Sequence, residues 1–249
     1  MMGYYFFKKN TNLGKECQNF IDIYQPMYFK DYNKKCIVPN IKQTFKNVED
    51  EVVKILDTGI TKEDDVFIVL MWKLGKIKGI NKDNTFIFNN DVDANNKKAK
   101  IYSKEQIDLK KFIGEVTDFC VKNNYKKESY DYDKAQKFID YSKKLNCEYM
   151  WTIYLITLLY FYSKGDFQIY DKYAMVALTA IEKGILPGEE VEYWSLPNDN
   201  INTIISDESS LYRKYINKLN GFRNNETVDM RKLDQALWVY GHWFKITQH

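Results

Sequence analysis

The sequence predicts a mainly α-helical fold with a small β element in its N-terminal half. Three observations carry that expectation. Apolar residues recur at helical spacing in several stretches, with capping residues in front and glycine behind. One stretch, "YMWTIYLITLLYFYSK", is apolar nearly all round, as a helix buried on every side must be. Residues 81–100 interrupt the run of helices, with Asn, Asp and Lys around an isolated "FIF". That composition suits a hairpin or an excursion.

Taken in order, the first 45 residues are irregular by pattern, with a strand expected at Tyr4–Phe7 and a turn-rich stretch up to Pro39. "NVEDEVVKILDTG" places acidic residues in a first turn, Val48, Val52, Ile55 and Leu56 on one face, and Gly59 just past the end. "TKEDDVFIVLMWKLGKIKG" opens with Thr61 and Asp64 at capping-box spacing and closes at Gly75. Ser103 and Gln106 form a second such box before "KEQIDLKKFIGEVTDFCVKN". "DYDKAQKFIDYSKKLN" is a further amphipathic helix whose Lys134, Lys137, Lys143 and Lys144 make either a solvated face or a phosphate track. After the apolar central helix come "GDFQIY", the helix "KYAMVALTAIEKG" ending at Gly184, the helix "DESSLYRKYINKLNG" closed by Gly221, and a last helix from Thr227. That last helix carries Leu233, Leu237, Tyr240 and Phe244 on one stripe. One compact unit over residues 1–249 is expected, with lobes over 1–100 and 101–249.

Composition narrows the function classes. With 45% apolar, 29% charged and 16% aromatic residues, the chain is neither disordered nor fibrous. A net charge of +3 is too small for a polycation that coats phosphate, so a nucleic-acid partner needs its lysines gathered on one face. The opening "MMGYYFFKKN" lacks the apolar run of a signal peptide, and Tyr149–Tyr162 is too short to span a bilayer. The expectation is a cytoplasmic protein with no membrane association. Cys17, Cys36, Cys120 and Cys147 are scattered and only two His are present, so no disulfide framework, metal site or cofactor is expected. "DVDANN" imitates the start of a calcium loop, but Asn96 and Tyr102 stand where that loop needs Gly and Glu.

Asp171 sits between two helices, in "FYSKGDFQIYDKYAMVALTAI". An Asp there is a favoured N-cap, and its charge suits the positive end of a helix dipole. The order of apolar helix, loop with Lys164 and Gly165, "FQIYD" and Ala-rich helix also resembles the catalytic segment of the helix-hairpin-helix DNA glycosylases, the 8-oxoguanine glycosylase fold especially. The resemblance implies a two-lobed helical fold in which Asp171 both caps a helix and faces a flipped-out nucleotide. There a carboxylate stabilises positive charge on the sugar or activates water for hydrolysis of the N-glycosidic bond. It further implies a base pocket from Gln235, Trp238, His242 and Trp243 in "LDQALWVYGHWF", and duplex DNA as partner. Two departures accompany it. Thr157 stands where bifunctional members carry a catalytic lysine, and "KKLNCEYMW" replaces their Gly-rich hairpin, leaving Lys143, Lys144, Lys164 and Lys172 as point charges for phosphate. The implied activity is therefore that of a monofunctional glycosylase on a modified base. The alternative is a catalytically silent helical module binding nucleic acid or a protein partner, for instance in competition between bacteria and mobile elements.

Overall fold

The computed structural model describes residues 13–35, 45–81, 83–100, 106–108, 110–123, 132–145, 152–193, 210–223 and 227–248. In chain order these form α1 (Leu13–Lys35), α2 (Phe45–Thr58), α3 (Glu63–Lys73), β1 (Ile77–Ile80), β2 (Phe86–Phe88), β3 (Val92–Asp93), β4 (Lys98–Lys100) and β5 (Gln106–Asp108). There follow α4 (Lys110–Lys122), α5 (Tyr132–Lys144), α6 (Thr152–Tyr162), α7 (Lys172–Lys183), β6 (Glu190–Tyr193), α8 (Leu211–Arg223), α9 (Met230–Gly241) and β7 (Lys245–Gln248). The fold is mainly α with short strands, as the periodicity predicts. Two units share these elements and interleave along the chain. One holds residues 35–169 and 198–206, and the other holds 1–34, 170–197 and 207–249.

In the first unit α6 is the axis, packed by α2, α3 and α5. From Tyr154 to Tyr162 every residue of it is buried, which is what an all-apolar helix requires. Val48, Val52 and Ile55 of α2 are buried and Leu56 half-buried, as their spacing predicts. The Trp72 indole N–H donates to Glu49 across 2.9 Å, which gives a buried carboxylate a partner. The cap of α3 corrects the expected Thr61–Asp64 pairing. Asp65, at the third helical position, accepts from the Thr61 and Lys62 amides and the Thr61 hydroxyl, while Asp64 turns outward to Lys97.

The hairpin expected around "FIF" is present as β1 and β2, antiparallel, with Asn84 at φ 63° in the turn. A second sheet runs in the order β3-β4-β5. Its last strand corrects the helix expected from Lys104, because residues 106–108 pair with β4 and α4 starts only at Lys110. Pairing outweighs the local capping signal there, and Ser103 lies outside the described residues. In the calcium-loop mimic, Asp91 pairs with Lys76, and Asp93 accepts from the Asn96 amide and side chain.

In the second unit α7 packs on α9, α8 and β6. Here α1 corrects the irregular reading of the N-terminal region. Cys17, Phe20, Ile21, Tyr24 and Tyr28 are buried along one helical stripe, with Pro26 on the exposed side. A proline lacks a backbone donor, and it is tolerated here because that helix position costs one bond on the solvent face. The expected strand at Tyr4–Phe7 lies outside the described residues. α8 continues through Gly221 to Arg223, and α9 begins at Met230 behind an Asp229 cap, later than the expected Thr227. α9 ends at Gly241, so buried Phe244 lies beyond it, leading into β7, which pairs in parallel with β6.

Burial holds several acidic protons tightly. The Cys120 thiol and the Tyr162 hydroxyl, near each other in the first unit, are both pushed well up, mainly by loss of solvent. In the second unit burial raises Tyr215, helped by the negative charges of Asp234 and Asp171, and pushes Tyr240 up to about 12. Because the folded values exceed the unfolded ones, their contribution is complete below the ordinary Cys value of 9.0 and Tyr value of 10.0. It is lost as pH rises through and above that range. Urea midpoints measured from pH 7 upward should fall steeply above about pH 9, and a flat profile would contradict the burial of these groups.

Candidate functional site

The start of α7 and the end of α9 meet in the second unit, and most of the residues singled out in the sequence lie there. Asp171 adopts extended backbone (φ −131°, ψ 135°), and its Oδ1 accepts from the amides of Tyr173 at 2.8 Å and Ala174 at 3.4 Å. It is a true N-cap, satisfying two of the donors that a helix start leaves over. The carboxylate is half-buried, not enclosed. Asp171→Ala should cost about 1 kcal/mol, read as a lower urea midpoint, whereas Asp171→Asn keeps an oxygen acceptor and should leave that midpoint nearly unchanged.

Gly241 sets the distance between the two helices. A Cβ there would fall on the Tyr173 carbonyl, within 2.6 Å of its carbon and 2.9 Å of the Tyr173 Cα. Such close backbone approach is open to glycine alone. It brings the next residue, His242, face to face with Tyr173, ring centroids 3.4 Å apart and planes 23° from parallel. Trp238, one turn earlier on α9, lies against the same imidazole at 3.9 Å. His242 Nδ1 is 2.7 Å from the Trp238 carbonyl. A carbonyl only accepts, so Nδ1 carries the hydrogen and the ring is fixed in place. All three rings are half-buried. The Lys172 ammonium lies over Tyr173, 4.7 Å from its centroid, a cation–π geometry.

The structure thus brings together Trp238, His242, Lys172 and Asp171, and it does so through Tyr173. Sequence reasoning missed Tyr173. The available signal was its position two residues after the cap, where the Asp171 side chain binds its amide and the helix turns its ring toward α9. Gln235 and Trp243 have other surroundings. Gln235 is buried and accepts from the Gln25 side chain of α1 at 2.9 Å, and Trp243 packs edge-on against Tyr24 and beside Tyr240. Asp234 pairs with Arg231, whose guanidinium lies over Tyr28, and Tyr28 in turn meets Trp238 edge-on.

The remaining candidate lysines belong to the other unit. Lys144, on α5, and Lys164, in the turn after α6, are exposed there, while the Lys143 side chain lies outside the described residues. Lys164 has φ 51° and runs its stem along Gly59. Thr157 is wholly buried in α6, its hydroxyl donating to the Ile153 carbonyl at 2.8 Å. Among the described residues no three His, Cys, Asp or Glu side chains converge to hold a metal ion. Chemically, then, the second unit offers a face of three coupled rings, a cation beside it and a partly exposed carboxylate at a helix start. Comparisons with protein-family models, curated proteins and solved structures give no match.

Proposed function

We propose that the second unit binds nucleic acid by stacking a base on the Tyr173, His242 and Trp238 ring cluster. The half-exposed stack itself is the observation that carries this reading. A base stacks on aromatic faces whatever its sequence, for about 1–3 kcal/mol per base. Lys172 supplies a charge for a phosphate beside that base. On this reading the protein works in the cytoplasm, and Asp171 serves first as the cap that aims Tyr173.

N-glycosidic hydrolysis by Asp171 is the second reading. What favours it is that the carboxylate is half-exposed and two residues from a stacking ring, so a base held on that ring would carry its sugar near an anion able to stabilise developing positive charge. Anisotropy of fluorescein-labelled oligonucleotides at low salt tests the first reading. Wild type should bind and Trp238→Ala should bind on the order of tenfold more weakly, as loss of one stacked base implies. Absence of binding by wild type would refute it and leave a protein surface as the use of these rings. For the second, duplexes with a panel of modified bases, treated with alkali after incubation, should be cut after exposure to wild type but not to Asp171→Asn.

A further inference from the structure

Resting on the base-stacking reading, we infer that the ligand is a single strand held mainly by its bases, with little dependence on salt. The charge inventory of the second unit carries this. Its Lys and Arg outnumber its Asp and Glu by only one, counted over residues 1–34, 170–197 and 207–249. Several cations of this unit are already paired within the protein. Arg231 is tied to Asp234, Lys218 to Glu182, and Lys232 lies 3.6 Å from Asp229. Lys172 is exposed with its ammonium over Tyr173, so a phosphate next to a stacked base meets that charge first. Of the four lysines that the sequence offers for phosphate, Lys172 alone belongs to this unit.

A duplex is a poor ligand for such a surface. Its bases reach a ring only after unpairing and unstacking, at a cost of a few kcal/mol. Duplex binders offset that with many phosphate contacts, each of which steepens the salt dependence. A single strand presents its bases without that cost. With one phosphate neutralised, the logarithmic salt slope should be about −0.7, roughly a threefold loss of affinity between 50 and 200 mM salt.

The test is anisotropy of a fluorescein-labelled single strand and of the same strand annealed to its complement, each at 50 and 200 mM NaCl. Expected are single-strand binding at least about tenfold tighter than duplex binding, a loss of roughly threefold or less over the salt range, and a nearly flat salt response for Lys172→Gln. Equal or tighter duplex binding, or a loss of a hundredfold or more, would overturn this inference and leave base stacking standing. Binding of neither form by wild type would overturn the stacking reading and this one with it. Gly221→Ala, remote from the rings on α8, serves as the folded reference.

Discussion

Gly241→Ala should destabilise the second unit by about 3 kcal/mol or more, the upper range for forcing atoms into a packed interior. One methyl group is enough, because the atoms it meets are backbone. The Tyr173 carbonyl cannot rotate aside as the end of a side chain would, since it belongs to the first turn of α7. Relief requires α7 and α9 to separate, and separation breaks the Tyr173–His242 stack. A lower urea midpoint, loss of near-ultraviolet dichroism from the ring cluster and loss of oligonucleotide binding should therefore appear together. Gly221→Ala makes the contrast. It is helical, with nothing within 4 Å of the added carbon. There the same substitution should stabilise by roughly 0.5–1 kcal/mol, the difference between Gly and Ala in a helix interior. Equal effects at the two sites would mean that the helix approach is wider than described.

Thr157→Lys should be the more damaging change in the first unit, costing about 4 kcal/mol or more. The position is fully buried in a helix whose neighbouring residues are buried on every side. A lysine there must either keep a charge in an apolar interior or give up its proton, and its longer stem must displace packed atoms. Thr157→Val keeps the shape and should cost no more than about 1 kcal/mol, since the hydroxyl only reinforces a bond to the Ile153 carbonyl. The prediction bears on chemistry as well as stability. Placing a lysine at this position should not create an imine-forming enzyme, so borohydride should trap no covalent adduct with an abasic duplex. Trapping by a folded Thr157→Lys variant would show that the position opens to substrate.

Elements with strong local signals were legible in the sequence. α6 was readable because its residues are apolar on all sides, and α7 because Asp171 and Gly184 bracket it with opposite capping chemistry. A hairpin or excursion within residues 81–100 was readable from an isolated aromatic run between turn residues, while its first strand, Ile77–Ile80, was not. What escaped was set by distant contacts. The stripe of Cys17, Phe20, Ile21, Tyr24 and Tyr28 has helical spacing, but Pro26 and the polar residues between obscure it until α9 supplies the surface it packs on. The parallel pairing of β6 with β7 joins segments with no hairpin signal between them. At the site the single residues Trp238, His242 and Asp171 were visible, while the residue that joins them was not. Tyr173 is one tyrosine among twenty, and only the absence of a side chain at Gly241 makes it the one that meets His242. The proximity of two backbones cannot be read from either segment alone.

The interleaving of the two units has a consequence for the newborn chain. Gln25 on α1 finds its partner at Gln235, 210 residues later. At a synthesis rate of about 5–20 residues per second, α1 waits on the order of ten to forty seconds at the ribosome before α9 emerges. In that interval the apolar stripe of α1 has no native surface to cover it, while residues 35–169 of the first unit have been delivered almost without a break. Translation order then favours folding of the middle of the chain ahead of the second unit, and α1 is the segment that a chaperone would be expected to shield.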